Sequence, residues 1–260
     1  MVKIISKDNK LIKSVKRLTT DKKYRDLTNL FVAESFRVIN TLIKNKVQIR
    51  NLLVASESKY FQVAKDYQKA GIDVVILPNS IFNTLTSLAT SDGLIGVFHK
   101  LKNNFNFVKD GKYVILNQIQ NPGNLGSIIR TAVGFDVNGL IISNDSVDLY
   151  HPAIIRATMG SCFSIPIKFI TSLTDIIHQF HQQGFKIYGT AISPSAQKLS
   201  DTTFNNSNAV AIIFGNEGNG LKDSILKECD ETIYISVNDK IDSLNVSVAV
   251  GIILYQLCKR

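Results

Sequence analysis

From residue 113 onward, short apolar runs alternate with stretches of helical periodicity. The runs have the length and composition of buried strands and occupy residues 113–116, 140–143, 165–169, 186–190, 210–214 and 232–235. The helical stretches between them are 125–135, 152–159, 173–183 and 221–227. Because strands that alternate with helices are joined by crossover connections, the pattern predicts an α/β fold with a largely parallel sheet.

A last helix is predicted over residues 244–258, and apolar residues cover nearly its whole circumference. A helix that is apolar on every side must be buried on every side. At the end of the chain the expected cover is a second copy of the protein, so the sequence predicts a homodimer. Asn245, Ser247 and Gln256 interrupt this stretch, which falls short of a membrane span.

The first 100 residues predict a smaller α/β module. Helical spacing occurs over 11–18, 34–44 and 59–70, a short helix follows Pro78, and apolar runs predict strands at 31–33, 51–55, 73–77 and 93–98. The following segment is polar and rich in asparagine, as linkers are. We expect one domain over residues 1–100, a linker over 101–111 and a second domain over 112–260.

The two modules differ strongly in charge. Residues 1–110 contain 19 Lys and Arg against 9 Asp and Glu, a net charge of +10, whereas the remaining residues have 11 against 12, a net charge of −1. A dense basic segment beside a folded domain is typical of proteins that bind the phosphates of a nucleic acid. A merely solvated surface is the plainer alternative. A membrane surface is disfavoured because the segment has few aromatic residues to insert.

The cysteines and histidines predict neither disulfides nor a metal site. Three widely spaced cysteines, without a paired motif, are typical of reduced thiols in a cytoplasmic protein. The first residues do not resemble a secretory signal. His178 and His181 share a helix face, but no third ligand lies near them in the sequence, so no metal is expected.

Three segments that each follow a predicted strand are the candidates for chemistry, because ligands of α/β sheets bind at the carboxyl ends of strands. P-loop, HExxH, GxSxG and dinucleotide-binding motifs are absent from the sequence. The first segment is NPGNLGSIIRTA, residues 121–132, where Gly126 leaves a helix start bare for an approaching anion. We expect Arg130 on the first or second turn of that helix and Arg156 at the start of a later helix. A tight loop with a surface arginine is the alternative.

The second segment is FGNEGNGL, residues 214–221, whose three glycines allow a ligand or another backbone segment to come close. Glu217 within it either supports the loop or contacts a ligand. The third segment is ISVNDKIDSLNVSVA, residues 235–249. Asp242 or Ser243 is the predicted N-cap of the last helix, which puts Asn245 in its first turn.

These segments carry a resemblance to a known family. NLGSIIRTA, FGNEGNGL and SLNVSVA, in this order, resemble the three motifs of the SpoU (TrmH-type) RNA ribose 2′-O-methyltransferases of the SPOUT superfamily. The resemblance covers residues 113–258, and KKYRDLTNLFVAES is similar to part of the family's ribosomal-protein-like RNA-binding domain. It implies a C-terminal parallel-sheet domain with a deep trefoil knot, a small α/β RNA-binding domain before it, and a homodimer that completes the active site.

The resemblance also implies S-adenosylmethionine as the cofactor and assigns residues to roles. The family's polar active-site positions fall on Asn124, Arg130, Glu217, Ser243 and Asn245. The cofactor would be held around Thr190, Gly215, Asn216, Gly220, Ile235 and Leu244. RNA contacts are expected from Arg156 and, in the basic module, from Lys22, Lys23, Arg25 and Arg37. Asp136, Ser236 and Asp239 stand where the family usually has Gly, Pro and Gly, which bears on the expected cofactor contacts.

In such an enzyme a ribose 2′-oxygen attacks the sulfonium methyl group of the cofactor in line, so that the O–C bond forms as the C–S bond breaks and the thioether leaves with the bonding electrons. Arg130 orients the ribose or a phosphate and stabilises the developing negative charge. Whether Arg130 or an RNA phosphate takes the proton stays open. Structured ribosomal RNA is favoured over transfer RNA because of the separate N-terminal module. The alternatives are a non-catalytic RNA-binding factor of ribosome assembly and an enzyme that acts on a small anionic metabolite.

Overall fold

The computed structural model describes residues 2–101, 105–204 and 209–258. The elements up to residue 99 are β1 (Val2–Lys3), α1 (Lys10–Thr20), α2 (Lys22–Thr28), β2 (Leu30–Glu34), α3 (Phe36–Lys44), β3 (Ile49–Ala55), α4 (Phe61–Lys69), β4 (Val74–Leu77), α5 (Asn79–Phe82) and β5 (Leu94–His99). The later elements are β6 (Lys112–Leu116), α6 (Pro122–Gly134), β7 (Gly139–Ser143), α7 (Pro152–Ala157), β8 (Ile167–Ile170), α8 (Leu173–Gln182), β9 (Lys186–Thr190), β10 (Gln197–Lys198), β11 (Val210–Phe214), α9 (Asp223–Leu226), β12 (Glu231–Tyr234) and α10 (Val246–Leu257).

The chain forms two compact units, of which the first comprises residues 1–102 and 148–163 and the second residues 103–147 and 164–260. The segment 148–163 lies within the predicted C-terminal domain, whereas its contacts group it with the N-terminal unit. Its helix α7 packs on β2, and the rings of Tyr150 and Phe163 lie 5.2 and 5.3 Å from that of Phe31. This grouping results from packing between residues that are far apart in sequence. A domain boundary predicted from composition along the chain contains no information about such contacts.

A five-stranded mixed sheet, in the order β1-β4-β3-β5-β2, forms the centre of the first unit. β5 runs antiparallel to both of its neighbours, and the other pairs are parallel. On one side of the sheet, α1 and α5 share a core cluster with alternate strand residues such as Val32 and Leu53. The intervening strand residues, such as Phe31, point to the other side, where α3 and α4 pack.

The helix α2 is an element that the apolar pattern did not indicate. Asp21 begins it by accepting a hydrogen bond from the backbone N–H of Tyr24 (3.0 Å). Asn29 ends it in the left-handed conformation, with φ of 54°. Arg25 is the single buried residue in this helix, and a helix without an apolar face has no periodic signal.

The second unit has the predicted parallel sheet, with seven strands in the order β10-β12-β9-β11-β6-β7-β8 and parallel pairing throughout. Tyr113 and Ile115 of β6 belong to a core cluster that includes residues of α8. Val114 and Leu116, which alternate with them, are fully buried as well. Burial on both faces explains why the central strands are continuous apolar runs.

The last helix differs from its prediction in two ways. It begins at Val246, and its N-cap is Asn245, whose Oδ1 accepts a hydrogen bond from the backbone N–H of Ser247 (2.9 Å). The expectation of an N-cap at Asp242 or Ser243 is therefore wrong. Moreover α10 packs on α6 along one face only, and the other face leaves apolar side chains exposed: Val248, Ile252 and Tyr255.

Part of the predicted linker belongs to the second unit's interior. Phe105 and Phe107 pack against the core cluster that contains Tyr113 and Phe180, and residues 102–104 lie outside the described residues. In the described parts of the chain, no helix is both long enough and apolar enough to cross a lipid bilayer.

Candidate active site

The residues that follow β6, β9, β11 and β12 line one cleft of about 1180 Å³ at the carboxyl edge of the second unit's sheet. All six residues predicted to hold the cofactor line it: Thr190, Gly215, Asn216, Gly220, Ile235 and Leu244. Four of the five predicted catalytic residues line it too: Asn124, Glu217, Ser243 and Asn245. Arg130 is not among its lining residues. The three sequence segments thus meet in one place, because parallel neighbours end at the same sheet edge.

Asn216 organises the glycine-rich loop after β11. Its Nδ2 donates to the carbonyl oxygen of Gln118 (2.8 Å), and its Oδ1 accepts from the backbone N–H groups of Gly218 (2.9 Å) and Asn219 (3.2 Å). At Gly215, a Cβ atom would lie 2.3 Å from the carbonyl carbon of Gly220, so no larger residue fits there. Gly215 therefore allows the beginning of the loop to pack closely against the backbone at the end of the same loop.

Glu217 ties this loop to the start of α6. Its carboxylate accepts hydrogen bonds from the backbone N–H groups of Gln120 and Asn121 (3.1 Å each) and from Nδ2 of Asn124 (3.0 Å). Burial acts to raise the pKa of Glu217, but the hydrogen bonds from Asn124 and the two backbone amides together outweigh it and lower the pKa below its ordinary value. Glu217 is therefore an ionised acceptor at neutral pH.

A relay of hydrogen bonds continues from Glu217 across the cleft. A carboxylate can only accept, so Asn124 turns its Nδ2 toward Glu217 and its Oδ1 toward Asn245, whose Nδ2 donates to it (2.9 Å). Oδ1 of Asn245 then accepts from both the backbone N–H (2.9 Å) and the hydroxyl (2.7 Å) of Ser247. The charge on Glu217 and the cap of α10 together fix the orientation of two amides that face the cleft.

Arg130 lies elsewhere on α6 than expected. Asn121 is the N-cap of this helix, accepting from the backbone N–H of Gly123 (2.7 Å), and Pro122 is its first residue. Arg130 is thus in the third turn, about 9 Å along the axis and about 120° around it from Asn124. The expected first or second turn is wrong because the helix begins three residues earlier than predicted. The Arg130 side chain is exposed.

The cleft fits a nucleoside-sized ligand such as S-adenosylmethionine. Leu221, Ile233 and Ile253 give it apolar walls that suit a flat ring. Open space follows the backbone at Gly220, where a Cβ atom would meet nothing within 4 Å. The hydroxyl of Thr190 is already used, since it donates to the carbonyl oxygen of Ile213 (2.9 Å).

The three departures from the family pattern lie outside the cleft lining. Ser236 and Asp239 are not among its lining residues, although Ile235 and Val237 are. Asp136 adopts the left-handed conformation just beyond α6, with φ of 57°, where a glycine is conformationally cheaper. Asp136 in place of the family's glycine therefore affects the backbone conformation just beyond the end of α6.

The predicted RNA contacts divide into exposed and buried residues. Lys22, Lys23 and Arg37 are exposed. Arg25 is buried, with 2% of its surface exposed. Its Nε and Nη2 donate to Oδ2 of Asp148 (2.8 and 2.7 Å), and its Nη1 donates to the carbonyl oxygen of Leu18 (2.8 Å). The assignment of Arg25 to RNA is wrong, because its guanidinium is buried and each of its three nitrogens donates to a partner inside the first unit.

Arg156 is half-buried in the last turn of α7, not at a helix start as predicted, because α7 ends one residue later. Its Nη1 donates a hydrogen bond to the hydroxyl of Ser87 (3.4 Å). Within the described parts of the chain, no group of three metal-ligating side chains occurs. His178 and His181 lie instead beside single carboxylates, Glu228 at 3.8 Å and Asp230 at 3.2 Å.

Sequence reasoning missed the residues that hold the site through their backbones. Gln120 and Asn121 donate N–H groups to Glu217, and Ser247 fixes the amide of Asn245. For Asn121 a signal existed, since asparagine before Pro-Gly is a favoured N-cap. Gln120 had no such signal, because nearly every residue type has a backbone N–H that can donate in the same way.

Comparison with known proteins gives two family matches. The SpoU rRNA Methylase family matches residues 111–255, and an MRM3-like substrate binding domain matches residues 9–96. The 23S rRNA (guanosine(2553)-2'-O)-methyltransferase RlmP of Bacillus subtilis is 29% identical over 259 residues, which cover 99% of each chain.

Two solved structures are similar along nearly the whole chain. The AdoMet-bound rRNA methyltransferase from Sinorhizobium meliloti has a TM-score of 0.87 and 27% identity, over 98% of this chain and 96% of that one. The SpoU methyltransferase AviRb from Streptomyces viridochromogenes, in complex with the cofactor AdoMet, has a TM-score of 0.86 and 21% identity, over 96% and 97%. At that identity AviRb shows the common fold alone.

Proposed function

The chain belongs to the SpoU rRNA methylase family, and from this membership we infer that it transfers a methyl group from S-adenosylmethionine to a ribose 2′-oxygen of structured RNA. The observation that carries the inference is the cleft at the carboxyl edge of the parallel sheet, in which Asn124, Glu217 and Asn245 form one hydrogen-bonded relay. Ribosomal RNA is the proposed substrate, because the similar RlmP is named for 23S rRNA and the N-terminal unit matches a substrate-binding domain.

When bound, S-adenosylmethionine supplies the electrophilic methyl group. The glycine-rich loop, Ile235 and Leu244 hold the cofactor, largely through backbone groups. Asn124, Asn245 and Ser243 position the ribose, so that its 2′-oxygen is aligned for in-line attack. Glu217 contributes by holding Asn124 in one orientation.

Arg130 completes the site from a second copy of the chain in a homodimer. Two observations support this arrangement. Arg130 is exposed on α6 and is not among the residues that line its own cleft. Beside α6, α10 exposes Val248 and Ile252, and an exposed apolar helix face is typical of the interface of a symmetric dimer. As a permanent cation, Arg130 orients the ribose or its phosphate and stabilises negative charge on the attacking oxygen.

The trefoil knot and the cytoplasmic location are part of the same proposal. Residues 214–221 and parts of the segment 233–246 line one cleft, as expected where one segment passes through a loop formed by the other. Cys162, Cys229 and Cys258 form no disulfide, which agrees with a reducing compartment.

The function is tested by incubating the full chain with labelled S-adenosylmethionine and either total RNA or ribosomal particles from cells that lack its gene. Nuclease mapping of the product should place the label in one 2′-O-methylated nucleotide of ribosomal RNA, and Arg130→Ala should abolish it. Label in transfer RNA would replace the proposed substrate. Cofactor and RNA binding without transfer to any RNA or particle would favour the assembly-factor alternative, which the complete polar relay disfavours.

A further inference from the structure

One side of the first unit presents unpaired cations along a helix. The apolar side of α1 is buried through Ile12, Val15 and Leu18. Its exposed side carries Lys10, Lys13, Lys16 and Arg17 and no acidic residue. Lys22 and Lys23 of the adjoining α2 are exposed as well, and they directly precede Tyr24, whose ring lies beneath Arg17 of α1. We name these six residues the α1–α2 basic face.

The nearby acidic residues neutralise only part of this face. Asp8 pairs with Lys13 (2.9 Å) and Asp21 pairs with Arg17 (3.2 Å). The guanidinium of Arg17 also lies over the ring of Tyr24, 3.9 Å from its centroid. The other four cations have no ion pair and no ring contact within the described residues: Lys10, Lys16, Lys22 and Lys23.

The opposite side of the same unit differs, although it is basic too. Around α4, Lys59 lies over the ring of Tyr60 (5.2 Å) and Lys65 over that of Phe61 (5.3 Å). Lys69 lies 3.8 Å from a carboxylate oxygen of Asp66. These cations already have local partners, so they offer less to an external anion.

We propose that the α1–α2 basic face binds the phosphate backbone of a helical part of the RNA, a proposal that rests on the function inferred above. A row of cations on a helix about 16 Å long matches a partner with repeated, regularly spaced negative charges. Residues 9–96 match a substrate-binding domain, and this range includes all six residues.

Other occupants fit the face less well. A lipid surface would need an apolar side to insert, and the apolar side of α1 is buried in the core. A single strand is held by stacking of its bases on aromatic rings, and the one ring that the described residues place at this face, that of Tyr24, is half-buried beneath Arg17. Cations without exposed rings bind phosphates and do not read bases.

A basic face of this kind contributes to the affinity for RNA and does not change the rate of methyl transfer. Each phosphate contact releases counterions, so the binding constant for RNA falls with salt roughly in proportion to the number of contacts. Loss of the four unpaired lysines should therefore raise KM for the RNA and reduce the salt dependence of binding, with kcat and cofactor affinity unchanged.

The test compares two full-length variants that lose the same charge. The first replaces the unpaired lysines: Lys10→Gln, Lys16→Gln, Lys22→Gln and Lys23→Gln. The control replaces the three lysines with local partners and Lys44, an exposed residue at the end of α3 on the opposite side: Lys44→Gln, Lys59→Gln, Lys65→Gln and Lys69→Gln. The probes are a 20-base-pair RNA duplex of arbitrary sequence, a single strand of the same length, and vesicles containing phosphatidylserine. Thermal unfolding and S-adenosylmethionine binding by calorimetry check that both variants are folded.

For the duplex, the first variant should lose about tenfold or more in affinity at 100 mM salt, and the slope of log affinity against log salt should fall by about 3. The control should change several-fold less. Equal losses in both variants, or an unchanged first variant, would overturn the proposal. So would wild-type binding to the vesicles or the single strand that is as tight as binding to the duplex. Duplex binding and methyl transfer are separate readouts, so failure of the docking face is distinguishable from failure of the proposed function.

Discussion

Removing the charge of Asp148 should destabilise the first unit strongly, although Asp148 lies 123 residues from its partner Arg25. The guanidinium of Arg25 is 2% exposed and the Asp148 side chain 11% exposed, so neither charge is screened by much water. Oδ2 of Asp148 accepts two N–H bonds from the guanidinium, at 2.8 and 2.7 Å. Asp148→Asn would leave the guanidinium buried and uncompensated, a change that typically costs about 3–5 kcal/mol.

The reverse change should cost less. In Arg25→Met the carboxylate of Asp148 keeps the backbone N–H of Tyr150, which donates to Oδ1 (3.1 Å). The carboxylate therefore retains one of its hydrogen bonds, and we expect a loss of about 2–3 kcal/mol. The double variant Arg25→Met/Asp148→Leu should be more stable than Asp148→Asn alone, because two apolar side chains leave no buried charge.

Urea unfolding of the four proteins, followed by circular dichroism and by amide hydrogen exchange in β2 and α7, measures these differences. Exchange reports on the first unit separately, which matters because the chain has two units. A loss below about 1 kcal/mol for Asp148→Asn would refute the buried-pair reasoning. Folded Arg25→Met should bind RNA as the unaltered chain does, whereas a weakened affinity would restore Arg25 to the RNA contacts.

Four further predictions test local features. Ser35 has φ of 78° and ψ of 143°, a region nearly confined to glycine, so Ser35→Gly should raise the free energy of unfolding by about 1 kcal/mol in urea titrations. Burial, and then the charge of Arg25, lower the pKa of His151 from 6.5. The unfolded chain therefore binds the proton more readily, and stability should fall as the pH drops below 6.5. His151→Asn, which keeps the N-cap, should remove that slope. Glu217→Gln should lower kcat more than cofactor affinity in single-turnover assays, because its amide can turn a donor toward Asn124; equal losses in both would contradict the relay. Mixing inactive Arg130→Ala with inactive Asn245→Ala chains should restore about a quarter of the activity if Arg130 acts across the dimer, and none if it acts within one chain.

The regular elements of the second unit were predictable because their signals are local. β9 and β11 begin and end at the predicted residues. β11 is buried along its whole length and is therefore a continuous apolar run with a clear beginning and end. The ends of α6 and α10 were harder. Asp242, Ser243 and Asn245 are all good N-caps, so residue type alone did not identify Asn245 as the one that begins α10.

The sequence predicted which residues form the site but not how they are hydrogen-bonded to one another. The resemblance to the family's motifs predicted Asn124, Glu217 and Asn245 as site residues. The direction of their hydrogen bonds depends on which atoms face each other across 93 and 121 residues of chain. That direction matters chemically, because an amide that presents its oxygen or its nitrogen to a ribose makes opposite hydrogen bonds.

By itself, the sequence determined the parallel α/β architecture of the second unit, the basic character of the first and the family to which the chain belongs, because periodicity, charge and motifs are properties of short segments. Only the tertiary structure decided that Arg25 is a core residue paired with Asp148, that segment 148–163 packs with the N-terminal unit, and that Arg130 does not line its own cleft. Residue type states what a side chain can do. Burial and partners decide what it does, and both come from parts of the chain that are distant in sequence.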